Sequence, residues 1–355
     1  MANYKRLLIL VILFFGVAWF GSYPYGVETY YSTGIYPKIS LFFRVLWGWV
    51  PFSVGDVAYF VAGVWMCAGV VRITRRLVRK EWTGRQWLGW GRRLLEGILL
   101  LIIVFNLMWA LNYNRPGIAA QLNLQPRPYA EDTLQMLIDS LIVKVNENRK
   151  AIQRTPLSNQ EVFTEAVRAY RNLAYDPTLA FLRYRVRSVK ASLYGRLGNY
   201  LGFLGYYNPF TGEAQVNCAV PAFTIPYTTC HEMAHQLGYA SESEANFVGY
   251  LAAVHSDDPR FRYSAYQDLF SYANREMYYL DSGCYRENFR RLDTLVKQDY
   301  KQLYLFLKAH RNPLEPVLNK MYDGYLKANH QEQGIMSYSE VTGWLIAYMQ
   351  KYQKL

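Results

Sequence analysis

Residues 230–247 read Cys-His-Glu-Met-Ala-His-Gln-Leu-Gly-Tyr-Ala-Ser-Glu-Ser-Glu-Ala-Asn-Phe. His231 and His235 are four residues apart, so on a helix their side chains lie one above the other on one face. Both imidazoles can then reach one ion. Glu232 follows His231 directly and points about 100° further round such a helix. It therefore flanks the ion rather than facing it.

H-E-x-x-H on a helix is the zinc pattern of metalloproteases. A catalytic zinc needs a third protein ligand and one open position. Gly238 marks the end of the first helix, because glycine accepts the left-handed conformation after a helix C-terminus. The chain can then turn back and return a carboxylate to the metal. Glu242 and Glu244 are the two candidates. Ser241-x-x-Glu244 reads as a capping box, which gives Glu244 a structural task and leaves Glu242 freer to bind. Glu242 is the preferred third ligand and Glu244 the alternative. Asn246, one turn beyond Glu242, is placed to accept a hydrogen bond from a ligand histidine. Glu232 is the expected catalytic residue. It can take a proton from water activated by the metal and pass it to a leaving amine.

The rest of the chain bears on where this site sits. The formal net charge is +12 over 355 residues. Residues 1–115 carry +9 of it and the remaining 240 residues only +3. That asymmetry reads as a membrane-topology signal, not as a nucleic-acid surface. Three apolar runs, about residues 7–23, 54–73 and 94–111, read as transmembrane helices. Residues 23–37 read as an external loop rich in tyrosine, and residues 40–50 as a short re-entrant or interfacial helix. Arg72, Arg75, Arg76, Arg79, Lys80, Arg85, Arg92 and Arg93, opposed by Glu81, fall between the second and third runs. The positive-inside rule puts that loop and the N-terminus in the cytoplasm. It puts the chain after residue 113 outside a plasma (inner) membrane crossed several times.

Residues 1–113 are thus expected to be a membrane domain, and residues 114–355 an extracytoplasmic domain. The latter reads as mostly helical. Leu134, Leu137, Leu141 and Val145 recur at helical spacing within 131–152. Ser158-x-x-Glu161 and Ser337-x-x-Glu340 read as capping boxes. Residues 190–205 are ambiguous. Residues 206–217 read as a hairpin turning at 208–212, with strand 214–217 placed to form an edge of the cleft to which a peptide could pair. Asp257-Asp258-Pro259 should end the Glu242 helix. Helices are expected at 263–280, 285–310, 314–329 and 337–352.

Other polar residues are weaker candidates. His255 reads as a helix-end histidine, with an electrophilic role near the metal as the sharper alternative. Arg262 or Tyr263 could stabilise an oxyanion. His310 and His330 read as helix ends. Asp281 and Glu213 have no spacing that demands chemistry, and Asn106 is placed to bond a neighbouring helix. Cys67, Cys218, Cys230 and Cys284 show no C-x-x-C spacing, and read mostly as small buried residues. Cys230 is not expected to be a ligand. No P-loop, dinucleotide fingerprint or G-x-S-x-G is present.

H-E-x-x-H followed by Glu242-x-x-Ala245-Asn246 resembles the gluzincin branch of zinc peptidases. It departs from the metzincin turn, because Ser241 stands where that family has its third histidine. A wider pattern adds the apolar N-terminal runs, Asn112-Tyr113-Asn114-Arg115, and 205–213 (Gly-Tyr-Tyr-Asn-Pro-Phe-Thr-Gly-Glu). With 230–238 and 242–247 it resembles a bacterial family classed only as a domain of unknown function, whose members are similar to membrane-anchored zinc metallopeptidases. The resemblance to gluzincins implies zinc ligation by His231, His235 and Glu242. It brings no substrate.

The expected fold is mainly α. Three transmembrane helices precede a zincin-like, predominantly helical extracytoplasmic domain with a small β-hairpin or sheet. The expected function is peptide-bond hydrolysis by a membrane-anchored zinc metallopeptidase, with one Zn²⁺ per chain, a peptide or protein substrate, a lipid bilayer as partner and no nucleic acid. The alternative is a zinc-binding envelope scaffold or sensor that hydrolyses nothing. Glu232, which a scaffold does not need, favours the enzyme.

Overall fold

The computed structural model describes residues 4–79, 83–153, 155–328 and 338–355. Lys80, Glu81, His330 and Ser337 of the last expected capping box lie outside the described residues. Helix α1, Lys5–Gly21, begins the chain. A π-helical segment, Val27–Ile35, and helix α2, Tyr36–Trp47, follow where an external loop and a short re-entrant or interfacial helix were expected. The loop reading fails because its residues have burial partners far along the chain. Val27, Tyr31 and Tyr36 pack with Trp109, Leu111 and Ala240. The stretch Pro24–Trp47 is bent by 93° from α1.

Helices α3, Val54–Val78, and α4, Gly84–Met108, cover the next two apolar runs. Among the described residues, only α3 is by itself long and apolar enough to cross a membrane. Counting α1 with the bent stretch as one span raises the number to two, where three were expected. The reasons are physical. Helix α1 alone has 17 residues, and its continuation turns away. Every 18-residue stretch of α4 contains Arg92, Arg93 and Glu96. Glu96 is buried, with Arg92 at 3.5 Å and Arg6 at 3.9 Å.

No free linker separates these helices from the domain that follows. Glu213 accepts hydrogen bonds from the backbone N–H groups of Val54, at 3.1 Å, and Gly55, at 2.6 Å. A carboxylate thus caps the positive end of α3. That is a structural task the sequence did not assign to Glu213. At the far end of α4, Trp109 leads into a 3₁₀ turn, Ala110–Asn114, and short helix α5, Gly117–Gln121.

Helix α6, Glu131–Ala151, buries Leu134, Leu137, Leu141 and Val145, as their spacing predicts. Helix α7, Asn159–Leu173, starts with the complete Ser158–Glu161 capping box. The ambiguous stretch forms strand β1, Val189–Ala191, and helix α8, Gly195–Leu201. Strands β2, Gly205–Asn208, and β3, Glu213–Val216, form the expected hairpin. Among the described residues the sheet has the order β1-β3-β2, with β1 parallel to β3. Strand β3 is therefore central and paired on both sides. It is not the free edge that was expected; β2 is. The parallel partner β1 arrives from a stretch with no alternating pattern, which is why the sequence did not show it.

Helices α9, Ile225–Gln236, and α10, Glu242–Val254, form the middle of the domain. Helix α11, Pro259–Leu280, is capped by Asp258 and packs along α6 and α9. The single helix expected over 285–310 is two, α12 Ser282–Arg290 and α13 Thr294–His310. Asp281 caps the first and Asp293 the second, and an N-cap aspartate starts a new helix by satisfying its first N–H groups. Helices α14, Glu315–Ala328, and α15, Tyr338–Tyr352, complete the chain.

Candidate metal centre

Helix α9 runs through the core, and eleven of its twelve residues are buried. It ends where glycine was expected to end it: Gly238 has φ +92°. Its last carbonyls are held from the N-terminal segment. The Ser40 hydroxyl donates to the Gln236 carbonyl at 2.7 Å, and the Tyr36 hydroxyl to that of His235 at 3.3 Å. The Gln236 side chain donates to Ser188 and Gly212 carbonyls and accepts from the Tyr184 hydroxyl. Helix α9 is thus fixed at its C-terminal end by groups from three other places in the chain, around residues 36–40, 184–188 and 212.

Helix α10 returns beside it at close range. A Cβ on Gly249 would lie 2.9 Å from both Cα and N of His231. Only glycine permits that approach of two backbones. The return brings Glu242 to the histidines. Its carboxylate lies 3.3 Å from His231 Nε2 and 3.8 Å from His235 Nε2. Glu244 is turned elsewhere. Its N–H donates to the Ser241 hydroxyl, but its carboxylate accepts from the Ile118 N–H at 2.7 Å instead of closing the capping box. It is seated over Gly117, φ +75°, where a Cβ would stand 1.7 Å from Glu244 Oε1.

The orientation of the two histidines is set by second partners. His235 Nδ1 lies 2.7 Å from the Tyr239 carbonyl. Only a ring N–H can donate to a carbonyl, so Nδ1 carries the proton and the Nε2 lone pair faces Glu242. The Asn246 side chain hydrogen-bonds the His231 ring. Trp109 packs edge-on against His235, with ring centroids 5.9 Å apart.

Ligand atoms of His231, Glu232 and His235 all lie within 4.8 Å of one another. Glu232 is buried, and its Oε2 has no hydrogen-bond partner among the described residues. A Cβ on Gly205, the first residue of β2, would lie 2.5 Å from Glu232 Oε1. Burial raises the Glu232 carboxyl to about 8; the charge of His231 opposes that rise and the charge of Glu242 adds to it. For His231 burial works against the cation, but the hydrogen bond it donates to Glu242 and the charges of Glu232 and Glu242 prevail and raise it to about 9. Burial lowers His235 to about 4. Asp268 on α11, hydrogen-bonded by Tyr272, adds a further carboxylate whose charge interacts with His231.

The donor set is two imidazole nitrogens and a carboxylate, which suits a tetrahedral zinc with one open position. The orphaned buried oxygen of Glu232 beside it is a group that a cation or an activated water would satisfy. The residues present therefore fit the metal.

The remaining candidates stand apart from this cluster. His255 ends α10, thirteen residues beyond Glu242 and so about 20 Å along the helix at ~1.5 Å per residue. Its Nδ1 faces the Leu251 carbonyl. The Arg262 guanidinium donates to Asn148 and to the Ser256 carbonyl, and the Tyr263 hydroxyl donates to Asp299 in the core. Both side chains are engaged away from the histidines, which corrects the oxyanion role weighed for one of them. His310 packs on Phe306 and Tyr200. Asn106 bonds Ile102 within its own helix, while its carbonyl accepts from the Tyr31 hydroxyl. All four cysteines are free, and of these only Cys230 is fully buried.

Sequence reasoning missed Gly205, Gly249, Asp268 and the residues that hold the interhelix link. The interior glycine of α10 was the one legible signal, since glycine inside a helix marks close backbone approach. Comparison with curated proteins and with solved structures gives no match. A family model matches residues 31–346, a span that includes both ligand helices and reaches back to Tyr31 and Tyr36 on the N-terminal segment. The chain belongs to the family described as protein of unknown function (DUF3810).

Proposed function

We propose that this chain is a membrane-anchored zinc metallopeptidase of gluzincin type, with its metal domain outside the cytoplasm. His231, His235 and Glu242 would hold one Zn²⁺. The observation that carries the reading is the approach of both Nε2 atoms to the Glu242 carboxylate, with the unpaired, high-pKa carboxyl of Glu232 beside them. Zinc bound there supplies a Lewis acid that polarises a carbonyl and acidifies water. Glu232 takes the proton of the attacking water and hands it to the leaving amine. Its raised pKa suits both halves of that task, because a group near 8 gains and loses a proton readily at neutral pH. Tyr239 and Asn246 orient the histidines, and Trp109 keeps water from one side of His235.

Anchoring is supported by the exposed apolar surface of α3, where Phe60, Val61, Val64 and Trp65 are each more than half exposed. Surface of that kind is covered by lipid or by another protein. The basic residues that follow α3 support a cytoplasmic position for its C-terminal end.

The test uses the full chain in detergent, because Tyr36 and Ser40 hold the ligand helix and a fragment beginning near residue 114 lacks them. Zinc content near one per chain, lost in His235→Ala, is expected. So is hydrolysis of casein or a peptide library that a chelator abolishes and zinc restores. One zinc per chain without any hydrolysis would replace the enzyme by a zinc-binding scaffold. A folded chain that takes up no zinc would end both readings.

A further inference from the structure

Helix α8 and its flanks present an apolar face. Leu193, Leu197, Tyr200, Leu201 and Leu204 recur at helical spacing and are between 39% and 59% exposed. Gly195 and Gly198 are buried on the opposite side. Tyr200 is partly covered by His310 of α13, and the four leucines that remain on so short a segment are not left to water without cause. The surroundings of this face say what covers it. The Leu193 N–H donates to Asp56 Oδ2 at 2.7 Å and the Tyr194 hydroxyl to the Asp56 carbonyl at 2.9 Å. The Tyr206 hydroxyl donates to the other oxygen of Asp56. Asp56 stands in the first turn of α3, and the exposed apolar surface of that helix begins at Val57. The start of α8 is therefore tied to the first turn of α3, at the end of the helix whose exposed apolar surface is proposed above to meet lipid. Arg196, exposed on the same short helix, is placed to meet lipid phosphate.

This face also adjoins the metal centre. Leu204 is followed by Gly205, which lies against Glu232 and opens β2, one of the two edge strands of the sheet. An extended peptide added to that edge would run past Glu232 at the height of the bilayer surface.

We propose that the α8 face rests in the interfacial layer of the membrane and that the metal cleft takes polypeptide segments lying at the membrane surface. The substrate class is a membrane-tethered or juxtamembrane polypeptide, not a freely diffusing one. The proposal rests on the peptidase and anchoring readings above, and its test separates failure of each.

The full chain is placed in nanodiscs of phosphatidylethanolamine and phosphatidylglycerol. Benzoylphenylalanine is introduced at Leu197 or Leu201, at Phe60 as the lipid-facing reference, and at exposed Met136 on α6 as the aqueous reference. After irradiation, phospholipid adducts are measured by mass spectrometry. Adducts at Leu197 and Leu201 near the Phe60 yield, and well above that of Met136, are expected. Adducts at Phe60 alone would overturn the docked face and leave anchoring intact. No adduct at any position would overturn anchoring and the docked face together.

A casein peptide carrying a palmitoyl chain is then compared with the same peptide without it. The tethered peptide is expected to be cleaved roughly tenfold faster or more. Leu197→Glu with Leu201→Glu should reduce that preference while zinc content and cleavage of the free peptide persist. No preference for the tethered peptide in the unmodified chain would overturn the substrate class, and a preference unchanged in this variant would overturn the part assigned to the α8 face. Adducts as expected with neither peptide cleaved would overturn the peptidase reading and leave the docked face standing.

Discussion

Arg115 and Glu28 form a two-pronged ion pair, Nε to Oε2 at 2.8 Å and Nη2 to Oε1 at 2.7 Å, across 87 residues of chain. The third nitrogen of Arg115 donates to the Gly238 carbonyl at 3.1 Å, and the guanidinium lies over the Tyr239 ring. Gln121 joins Glu28 to the Tyr239 hydroxyl. The Tyr239 carbonyl in turn receives His235 Nδ1–H. An ion pair anchored in the N-terminal segment thus fixes the link between the two ligand helices. Arg115→Met would leave Glu28 with no cation and is expected to cost ~3–5 kcal/mol of stability. Glu28→Gln keeps the shape, and should weaken zinc binding roughly 10- to 100-fold through a less firmly held His235. Chelator competition measures the second effect and denaturant unfolding the first. Zinc affinity unchanged in Glu28→Gln would limit the pair to a structural role.

Glu232→Gln should retain zinc and lose turnover by about 10²–10⁴-fold, the range a general base contributes. Gly205→Ala tests the same carboxyl from outside. Its methyl would stand 2.5 Å from Glu232 Oε1, so the carboxyl must move. Activity should fall while metal content stays near one. Full hydrolysis in Glu232→Gln would remove Glu232 from the proposed mechanism, and full hydrolysis in Gly205→Ala would show that the position of its carboxyl is not critical.

Glu242→Ala and Glu244→Ala separate the two candidate ligands. Removing Glu242 takes away the oxygens at 3.3 Å and 3.8 Å from the ligand nitrogens, so zinc affinity should collapse with little change in melting temperature of the metal-free chain. Removing Glu244 leaves the Ile118 N–H without its acceptor, which costs ~1–3 kcal/mol, and should lower stability more than metal affinity. Paired zinc titrations and melting curves decide it. The reverse ranking would make Glu244 the third ligand.

Zinc uptake should release a proton at neutral pH. His231 is raised to about 9, yet a metal-bound imidazole must be neutral. As pH falls, the proton competes more strongly and affinity should drop; as pH rises toward the His231 value, it should climb. Calorimetry in two buffers of different ionisation enthalpy, between about pH 6 and pH 8, reads the released proton directly. A pH-independent affinity would mean that His231 is already neutral before the metal arrives.

The ligand pattern was legible because it is local. His231 and His235 share a helical face by spacing alone, Gly238 stops the helix at φ +92°, and Ser241 starts the next one. The apolar stripe of α6 and the hairpin at 205–216 follow from short-range periodicity and turn residues in the same way. What sequence reading missed involves residues distant in the chain. The tyrosines of 23–37 look like an exposed belt until Trp109 and Ala240 are packed against them. Strand 214–217 looks like an edge until β1 pairs with it. Glu213 and Glu244 look like free carboxylates until α3 and Ile118 present their N–H groups.

The sequence by itself determined which atoms can ligate a metal, because helix geometry fixes neighbours three and four residues apart. Only the tertiary structure decided which carboxylate faces them and which glycines let the backbones close. It also showed that the N-terminal segment clamps the ligand helix. Those contacts depend on how separate helices dock. Packing sets that docking, and no spacing within one helix encodes it.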